Sequence, residues 1–263
     1  MERLSTKDIH NHLKDVSKFL SDYATSLMAV GVQTSRIVRN TERIARAYGC
    51  RCETTIFLKT IVMTVWDIDD EHSYSSVSNK KPMGLNFEMN AELSRLSWDI
   101  TDKALALPAA KANYEKIIHK PRASKWLVLL LVSFANAAFC HLFRGDEWAM
   151  FVVFLATLGG FFLKQSLLER HWNELAVFII SSFTAAVFGS SAYVWHLGYT
   201  PDIALGTSVL YLIPGVPLIN GIMDIIDCHV LAGISRLINA ALLIICIAIG
   251  LTAAISLIGI QTI

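Results

Sequence analysis

The chain has 263 residues, of which 54% are hydrophobic and 17% charged, and its mean hydropathy is +0.47. These values argue against a single water-soluble globule. The charges are unevenly placed, because residues 1–125 hold 19 of the 23 Lys and Arg and 15 of the 22 Asp and Glu. A net charge of +1 provides no concentrated basic surface, which argues against nucleic acid as a partner.

Residues 1–120 are predicted to form an α+β domain that begins with two helices. Apolar residues recur every three or four positions through residues 6–30, which predicts an amphipathic helix. Gly31 interrupts this pattern, and Thr34 is expected to cap a second helix that ends at Gly49. The apolar stripe of the first helix consists of Ile9, Leu13, Val16, Leu20, Tyr23 and Leu27.

The second helix carries a row of arginines spaced three or four residues apart. One interpretation is a solvated face in which Glu42 pairs with one arginine of the row, Arg46. The other interpretation is contact with anionic lipid headgroups or capture of an acidic solute. The row consists of Arg36, Arg39, Arg43 and Arg46.

Residues 51–79 are rich in Thr, Ile, Val and Phe, which predicts two or three short strands. The acidic segment 67–72 could hold a divalent cation, but it lacks the glycine and the distant Glu of a calcium loop. We therefore expect a solvated turn there. A helical pattern returns over residues 85–104. The strands are expected within residues 54–58, 61–66 and 73–78.

Catalytic and cofactor motifs are absent from this part of the sequence. It contains no Walker glycine loop, no G-x-S-x-G elbow, no H-E-x-x-H and no dinucleotide-binding glycine fingerprint. Cys50 and Cys52 form a C-x-C pair without a second metal-binding pair, so we expect reduced, structural cysteines. We accordingly expect no enzyme, no cofactor and no metal site.

Residues 121–263 are predicted to form a membrane domain of five transmembrane helices, one of them broken. Each of five apolar stretches approaches the ~20 residues that cross a ~30 Å hydrocarbon layer, and backbone in lipid must bond internally as helix. The stretches are residues 126–143, 147–163, 175–197, 203–226 and 237–260. The chain is thus expected to be an α-helical polytopic membrane protein with an N-terminal α+β domain.

Basic residues predict the orientation of these helices, because they concentrate on the cytoplasmic side of a membrane protein. Only Arg144 lies on the opposite side, so the N-terminal domain is expected in the cytoplasm and the C-terminus, Ile263, outside. The residues on the cytoplasmic side are Lys120, Arg122, Lys125, Lys164, Arg170 and Arg236.

The fourth apolar stretch is expected to be interrupted near its middle. Pro214 and Pro217 cannot donate backbone hydrogen bonds, and Gly215 and Gly221 permit non-helical angles. Irregular backbone at membrane depth is tolerated where it is buried in protein or lines a wet cavity, as at transporter substrate sites. The interruption therefore favours transport.

Charged and polar side chains follow the interruption. An ionised carboxylate such as Asp224 is costly within a span, and such residues are usually paired or functional. Asp224 is expected to bind a substrate ammonium or carry a coupling proton, unless it lies at the cytoplasmic interface and reaches water. Arg236 could pair with Asp224 or bind a substrate carboxylate. The candidate substrate-binding residues are Pro214, Gly215, Pro217, Asn220, Asp224 and Arg236.

These motifs resemble those of the threonine/serine exporter family, in particular its separate N-terminal-half subunits. The resemblance rests on the run from Leu212 to Asp224, on Gly233-Ile234-Ser235-Arg236, on Gly31…Thr34-x-Arg36…Ile44-Ala45…Gly49, and on Phe143-x-Gly145-Asp146-x-Trp148. It covers almost the whole chain. The sequence departs from the family where Cys228 and His229 replace a glycine and an acidic residue.

The resemblance implies a subunit of a secondary exporter in a bacterial inner membrane. Its expected solutes are threonine and serine or a small dicarboxylate such as succinate, and its expected partner is a separate small integral membrane subunit. One alternative is a membrane-anchored sensor or regulatory protein whose cytoplasmic domain binds a ligand. A membrane-tethered hydrolase is a third possibility, for which no constellation of residues speaks.

Overall fold

The computed structural model of the protein describes residues 6–81 and 83–259. Helices dominate these residues, and three strands form one small sheet. The chain divides into two compact units. The first unit combines the residues up to Pro121 with Val216–Ile238, and the second combines Arg122–Gly215 with the residues from Asn239 onward. The boundary between a cytoplasmic and a membrane domain near residue 120 stays a prediction.

The described residues of the N-terminal part of the first unit form four helices and three strands. Both helices predicted before Gly49 are confirmed, as are all three strands, the first of which begins four residues earlier than expected. The helix α4 was not predicted. The elements are α1 (Thr6–Ala29), α2 (Thr34–Ala47), β1 (Cys50–Ile56), β2 (Thr60–Asp67), β3 (Ser73–Asn79), α3 (Phe87–Asp102) and α4 (Leu107–Ile118).

The core of the first unit lies between α1 and one face of the sheet. The sheet has the order β1-β2-β3 with antiparallel neighbours, and Val65 pairs with Cys52 on one side and Tyr74 on the other. Alternate residues of β2 are buried, namely Ile61, Met63 and Val65, as expected for a strand with one covered face. Against them packs the predicted α1 stripe, which is buried at Leu13, Val16, Leu20, Tyr23 and Leu27.

Three details of the predicted helices are wrong. Thr34 does not cap α2, because it is the first helical residue, and Gln33 at the cap position makes no side-chain hydrogen bond. Helix α3 begins at Phe87 rather than Leu85, since the Asn86 side chain accepts the Met89 N–H and caps it. Ala104 lies beyond the end of α3 with a φ of 46° and is exposed.

The cysteine pair and the acidic turn lie at one end of the sheet. Cys50 and Cys52 are buried free thiols, and burial raises the pKa of each to about 11, which keeps them protonated and unreactive. In the turn, Asp67 accepts hydrogen bonds from the His72 backbone and bonds its ring, while Arg51 pairs with Asp70 at 3.3 Å. The turn is therefore organised by its own side chains.

Apolar helices make up the rest of the chain. The interruption predicted in the fourth stretch is confirmed, and the fifth helix begins seven residues before its predicted start. The elements are α5 (Lys125–Leu142), α6 (Glu147–Glu169), α7 (Glu174–Gly189), α8 (Ser191–Val194), α9 (Pro201–Ser208), a 3₁₀ turn (Leu210–Leu212), α10 (Gly215–Ile226) and α11 (Val230–Ile258).

The described residues contain four helices that are long and apolar enough to cross a membrane, and up to five if the bent pair around Pro214 is one span. Many large apolar side chains of these helices are exposed, including Trp126, Phe134 and Phe151, each more than half exposed. Large apolar surfaces of this kind suit contact with lipid. The predicted position of Ile263 lies outside the described residues.

Small and polar side chains fill the interior of the second unit. A Cβ atom on Gly250 would lie within 2.8 Å of the Phe183 backbone nitrogen and still closer to Ser182 and Ile179, so α11 crosses α7 at backbone contact. Helices in membranes associate through such small residues, because lipid supplies no hydrophobic force between them. The position of α11 against α7 depends on this contact.

We predict that Gly250→Ala destabilises the protein by about 1–3 kcal/mol, because the added methyl meets two backbone atoms, of Ile179 and Phe183, besides the Ser182 hydroxyl. The matched control is Gly206→Ala in α9, where a Cβ meets nothing within 4 Å. The control should change the free energy of unfolding by less than about 1 kcal/mol. Thermal unfolding of both purified variants in detergent measures the difference, and equal midpoints would contradict the close crossing.

Candidate functional site

The interruption of the fourth apolar stretch lies at Ile213 and Pro214, between the 3₁₀ turn and α10. The two helical pieces are bent by 62° at this point. Gly215 is the first residue of α10 and Pro217 the third. A backbone N–H in the first turn of a helix has no acceptor within the helix, so Pro217 removes no internal hydrogen bond. Of the two prolines, only Pro214 therefore lies in the interruption itself.

Beyond the interruption, α10 packs closely against the beginning of α11, and both segments belong to the first unit. A Cβ on Gly221 would lie 2.8 Å from Leu237 Cγ, and one on Gly233 would lie 2.7 Å from the carbonyl oxygen of Gly221. These two glycines thus let the backbones meet. We call α10 and residues 230–238 the helical hairpin.

Asp224 is the buried charge of the hairpin, with no exposed surface. Its Oδ1 accepts the Thr34 backbone N–H at 2.9 Å, and its Oδ2 accepts the Thr34 hydroxyl at 2.8 Å. Thr34 opens α2, so the carboxylate lies at the positive end of that helix and serves as the cap that Gln33 does not supply. The Asp224 carboxylate does not reach water, as it would in the alternative that the sequence left open.

Arg236 supplies the counter-charge. Its Nε lies 3.3 Å from Asp224 Oδ2, and its side chain is 14% exposed. The Nη2 atom donates to the Val32 carbonyl at 3.1 Å and to the Thr34 hydroxyl at 3.4 Å. The pairing that the sequence suggested between Asp224 and Arg236 is thus present in the structure. We call Thr34, Asp224 and Arg236 the buried ion-pair network.

The connection between α1 and α2 is shaped to meet this network. Gly31 adopts a φ of 87°, and Val32 donates back to the Leu27 carbonyl, which ends α1 with a tight left-handed turn. The turn presents the Gly31 carbonyl to Asn220, whose Nδ2 donates to it at 2.8 Å. Candidate residues from α10 and α11 therefore meet one short loop.

The arrangement can hold two charges away from water only while each keeps its partners. Removing one member of a buried pair leaves an uncompensated charge, which is far more costly than the pair itself. Such a network holds the loop between α1 and α2 against the helical hairpin. The Arg236 guanidinium can also bind a carboxylate, because its coplanar N–H donors match the two carboxylate oxygens.

Sequence reasoning missed a second polar cluster, within the second unit. The buried Asn136 amide donates to the Thr157 hydroxyl at 2.7 Å and to the Thr207 carbonyl at 3.0 Å. Ser181 is also buried in the second unit, and its hydroxyl has no hydrogen-bond partner among the described residues. Asn136 could have indicated this cluster, because it is an amide in the middle of an apolar stretch and polar residues within spans are usually functional or bonded.

Metal-ligating side chains form no cluster in the part of the chain that the structure describes: no three His, Cys, Asp or Glu residues are grouped as ligands. The acidic segment 67–72 forms no such cluster either, and within it Asp67 and Asp70 bond neighbouring groups.

Comparisons with known proteins give consistent results. Residues 18–258 match the protein family described as "Putative threonine/serine exporter" (ThrE). The chain is 28% identical to the "Probable succinate transporter subunit YjjP" of Klebsiella aerogenes, over 94% of this chain and 95% of that protein. The protein of the same name from Escherichia coli K12 is 27% identical, over 89% and 91% of the two chains.

A longer relative is matched over part of its length. The "Probable threonine/serine exporter" of Mycobacterium tuberculosis is 24% identical over 91% of this chain but only 46% of its own. No solved structure matches the chain at a significant level.

We predict that Asp224→Asn lowers the free energy of unfolding by about 3–5 kcal/mol, because it leaves Arg236 largely buried without a counter-charge. Asp227→Asn is the matched control, since Asp227 is exposed and its carboxylate accepts a hydrogen bond from the Gln33 amide. The control should change stability by less than about 1 kcal/mol. Unfolding of both variants in detergent provides the comparison. Equal stability of the two variants would mean that the network contributes nothing.

Proposed function

Because the chain belongs to the threonine/serine exporter family, we propose that it is one subunit of a secondary exporter of small hydrophilic metabolites. The resemblance drawn from its motifs is thereby confirmed at the level of the family. The three relatives described above are named as transporter subunits or as an exporter, and the apolar helices suit a membrane protein. The observation that carries the proposal is the buried ion-pair network placed directly after an interrupted apolar helix.

The proposed topology is five spans in a bacterial inner membrane, with the bent pair counted as one broken span. The N-terminal α+β part would lie in the cytoplasm. The support is the concentration of Lys and Arg on that side of the apolar stretches, which is the usual bias of cytoplasmic segments.

The proposed solute is a small dicarboxylate. The two relatives that are matched over nearly their full length are both named succinate transporter subunits. Arg236 provides chemistry that suits a carboxylate, because in this conformation it already binds the one on Asp224. Threonine and serine are the second candidates, favoured by the name of the longer relative.

In the proposed mechanism, a solute carboxylate competes with Asp224 for Arg236. Releasing Asp224 from the pair would loosen the loop at Thr34, and the amide of Asn220 would become free to bond the solute. Pro214 and Gly215 would supply the flexible point about which α10 moves, as in the discontinuous helices of transporters. Pro217 would serve to begin α10.

The proposed partner is a separate integral membrane subunit that supplies a second half. Two relatives carry the word subunit in their names, and the Mycobacterium tuberculosis relative contains more than twice the length that this chain matches. Transporters built from paired halves place the solute path between them. Purification from native membranes should therefore yield a second hydrophobic protein in fixed stoichiometry. Full transport activity of this polypeptide alone in proteoliposomes would contradict the proposal.

We predict that Pro214→Ala lowers efflux of labelled succinate severalfold, because alanine can continue the helix through the interruption. Pro217→Ala is the control and should retain efflux, since that position needs no backbone donor. Efflux is measured from preloaded cells that express the chain with its co-purifying subunit, and immunoblots of the membrane fraction establish equal amounts.

Wild-type efflux in both proline variants would remove the interruption from the mechanism. A membrane-anchored sensor is the rival function, and it predicts that expression of the assembled subunits moves neither succinate nor threonine. Threonine efflux without succinate efflux would overturn the dicarboxylate assignment and retain the exporter.

A further inference from the structure

The arginine row of α2 divides into two kinds of residue. Arg46 is exposed and pairs with Glu42 at 3.4 Å, as one interpretation of the sequence expected, and Arg39 is exposed without a described partner. Arg36 and Arg43 are half-buried instead, and both reach side chains of α3. A uniformly solvated face therefore does not describe the row.

Contacts with α3 fix the two inner guanidinium groups. Arg36 Nη2 donates to the Ser94 hydroxyl at 2.8 Å, and Arg43 Nη1 donates to the hydroxyl of the buried Ser97 at 2.8 Å. The Arg43 guanidinium also lies over the Trp98 ring, 3.6 Å from its centroid. Planar stacking of this kind holds an arginine in one orientation.

These contacts bring the two positive charges towards each other. Arg36 and Arg43 are seven residues apart, which is about 10.5 Å along a helix, whereas Ser94 and Ser97 are three apart, about 4.5 Å. The guanidinium groups thus converge on one turn of α3. Both charges also act on the buried Tyr23 hydroxyl: burial raises its pKa, and Arg43 and Arg36 oppose that rise.

No carboxylate balances this pair of charges. Among the residues that the structure describes, neither Arg36 nor Arg43 has an Asp or Glu oxygen within 4.0 Å. Four of the five acidic residues of α2 and α3 bond other basic groups, and the fifth, Asp102, is exposed at the end of α3. Glu88 and Glu92 bond Lys120, Asp99 bonds Lys103, and Glu42 bonds Arg46.

Within the described part of the chain, both arginines keep hydrogen-bond donors that no protein group uses. Arg43 uses Nη1 for the Ser97 hydroxyl and the Asn40 amide oxygen, and Arg36 uses Nη2 for Ser94. A guanidinium has five N–H donors, so each keeps donors for an anion. Trp98 is 53% exposed at the edge of this cluster, which leaves a route from solvent.

We propose that Arg36 and Arg43, held by Ser94 and Ser97, form a binding site for a small molecule with two carboxylates. Two fixed guanidinium groups without counter-ions suit two carboxylates of one ligand, each bound through charge-assisted hydrogen bonds. The site lies in the N-terminal part of the first unit and is separate from the buried ion-pair network. The assignment depends on these contacts and not on the proposed transport.

The test titrates the purified full-length protein with succinate by calorimetry and by tryptophan fluorescence, with Trp98→Phe to identify the signal. Saturable binding is expected, together with a change in fluorescence that Trp98→Phe removes. Arg36→Gln and Arg43→Gln should each weaken binding at least about tenfold, because each removes charge-assisted hydrogen bonds. Arg39→Gln is the matched control, with the same loss of charge on the same helix, and should keep the wild-type affinity.

Several outcomes would overturn the site. Equal affinity for propionate would show that a second carboxylate is not recognised, and tighter binding of inorganic phosphate or of anionic lipid vesicles would assign the arginines to phosphate groups. Equal weakening in Arg39→Gln would reduce the effect to general charge. If Arg43→Gln fails to fold, Ser94→Ala serves as the test instead, because it keeps both arginines. It should also weaken binding. If the wild-type protein binds succinate at this site but exports none, the result would contradict the transport proposal and leave the binding site intact.

Discussion

A carboxylate without exposed surface remains charged only where the protein supplies hydrogen bonds and a counter-charge. Asp224 obtains these from Thr34 at the beginning of α2 and from Arg236 at the beginning of α11. The loop after α1 and the helical hairpin are therefore held together by one set of polar contacts. The position of the helical hairpin against this loop depends on this constraint, because removing either charge leaves the other buried without its partner.

Local sequence patterns predicted most of the elements. The α1 stripe has the period of a helix, and β2 is rich in the β-branched residues that strands favour, so both were identifiable without tertiary information. The interruption was also predictable, since Pro214 cannot continue a helix. Helix α4 was not predicted, although Pro108 lies in its first turn, a position to which proline is well suited.

The candidate site was predictable only in part. Asp224 and Arg236 stood out as charges beside apolar stretches, and their pairing could be suggested. Their common partner could not, because Thr34 is 190 residues away from Asp224 and looked like an ordinary helix cap. The division of the arginine row was hidden for the same reason, since only α3 distinguishes Arg43 from Arg39.

The central claim is that Asp224 and Arg236 act as one unit, and a double-mutant cycle tests it most directly. The free energy of unfolding is measured in detergent for Asp224→Asn, Arg236→Gln and the double variant. Groups that interact directly give non-additive losses. We predict that the double variant loses less stability than the sum of the single losses, by at least about 1 kcal/mol. Additive losses would contradict the claim and leave the two residues as independent neighbours.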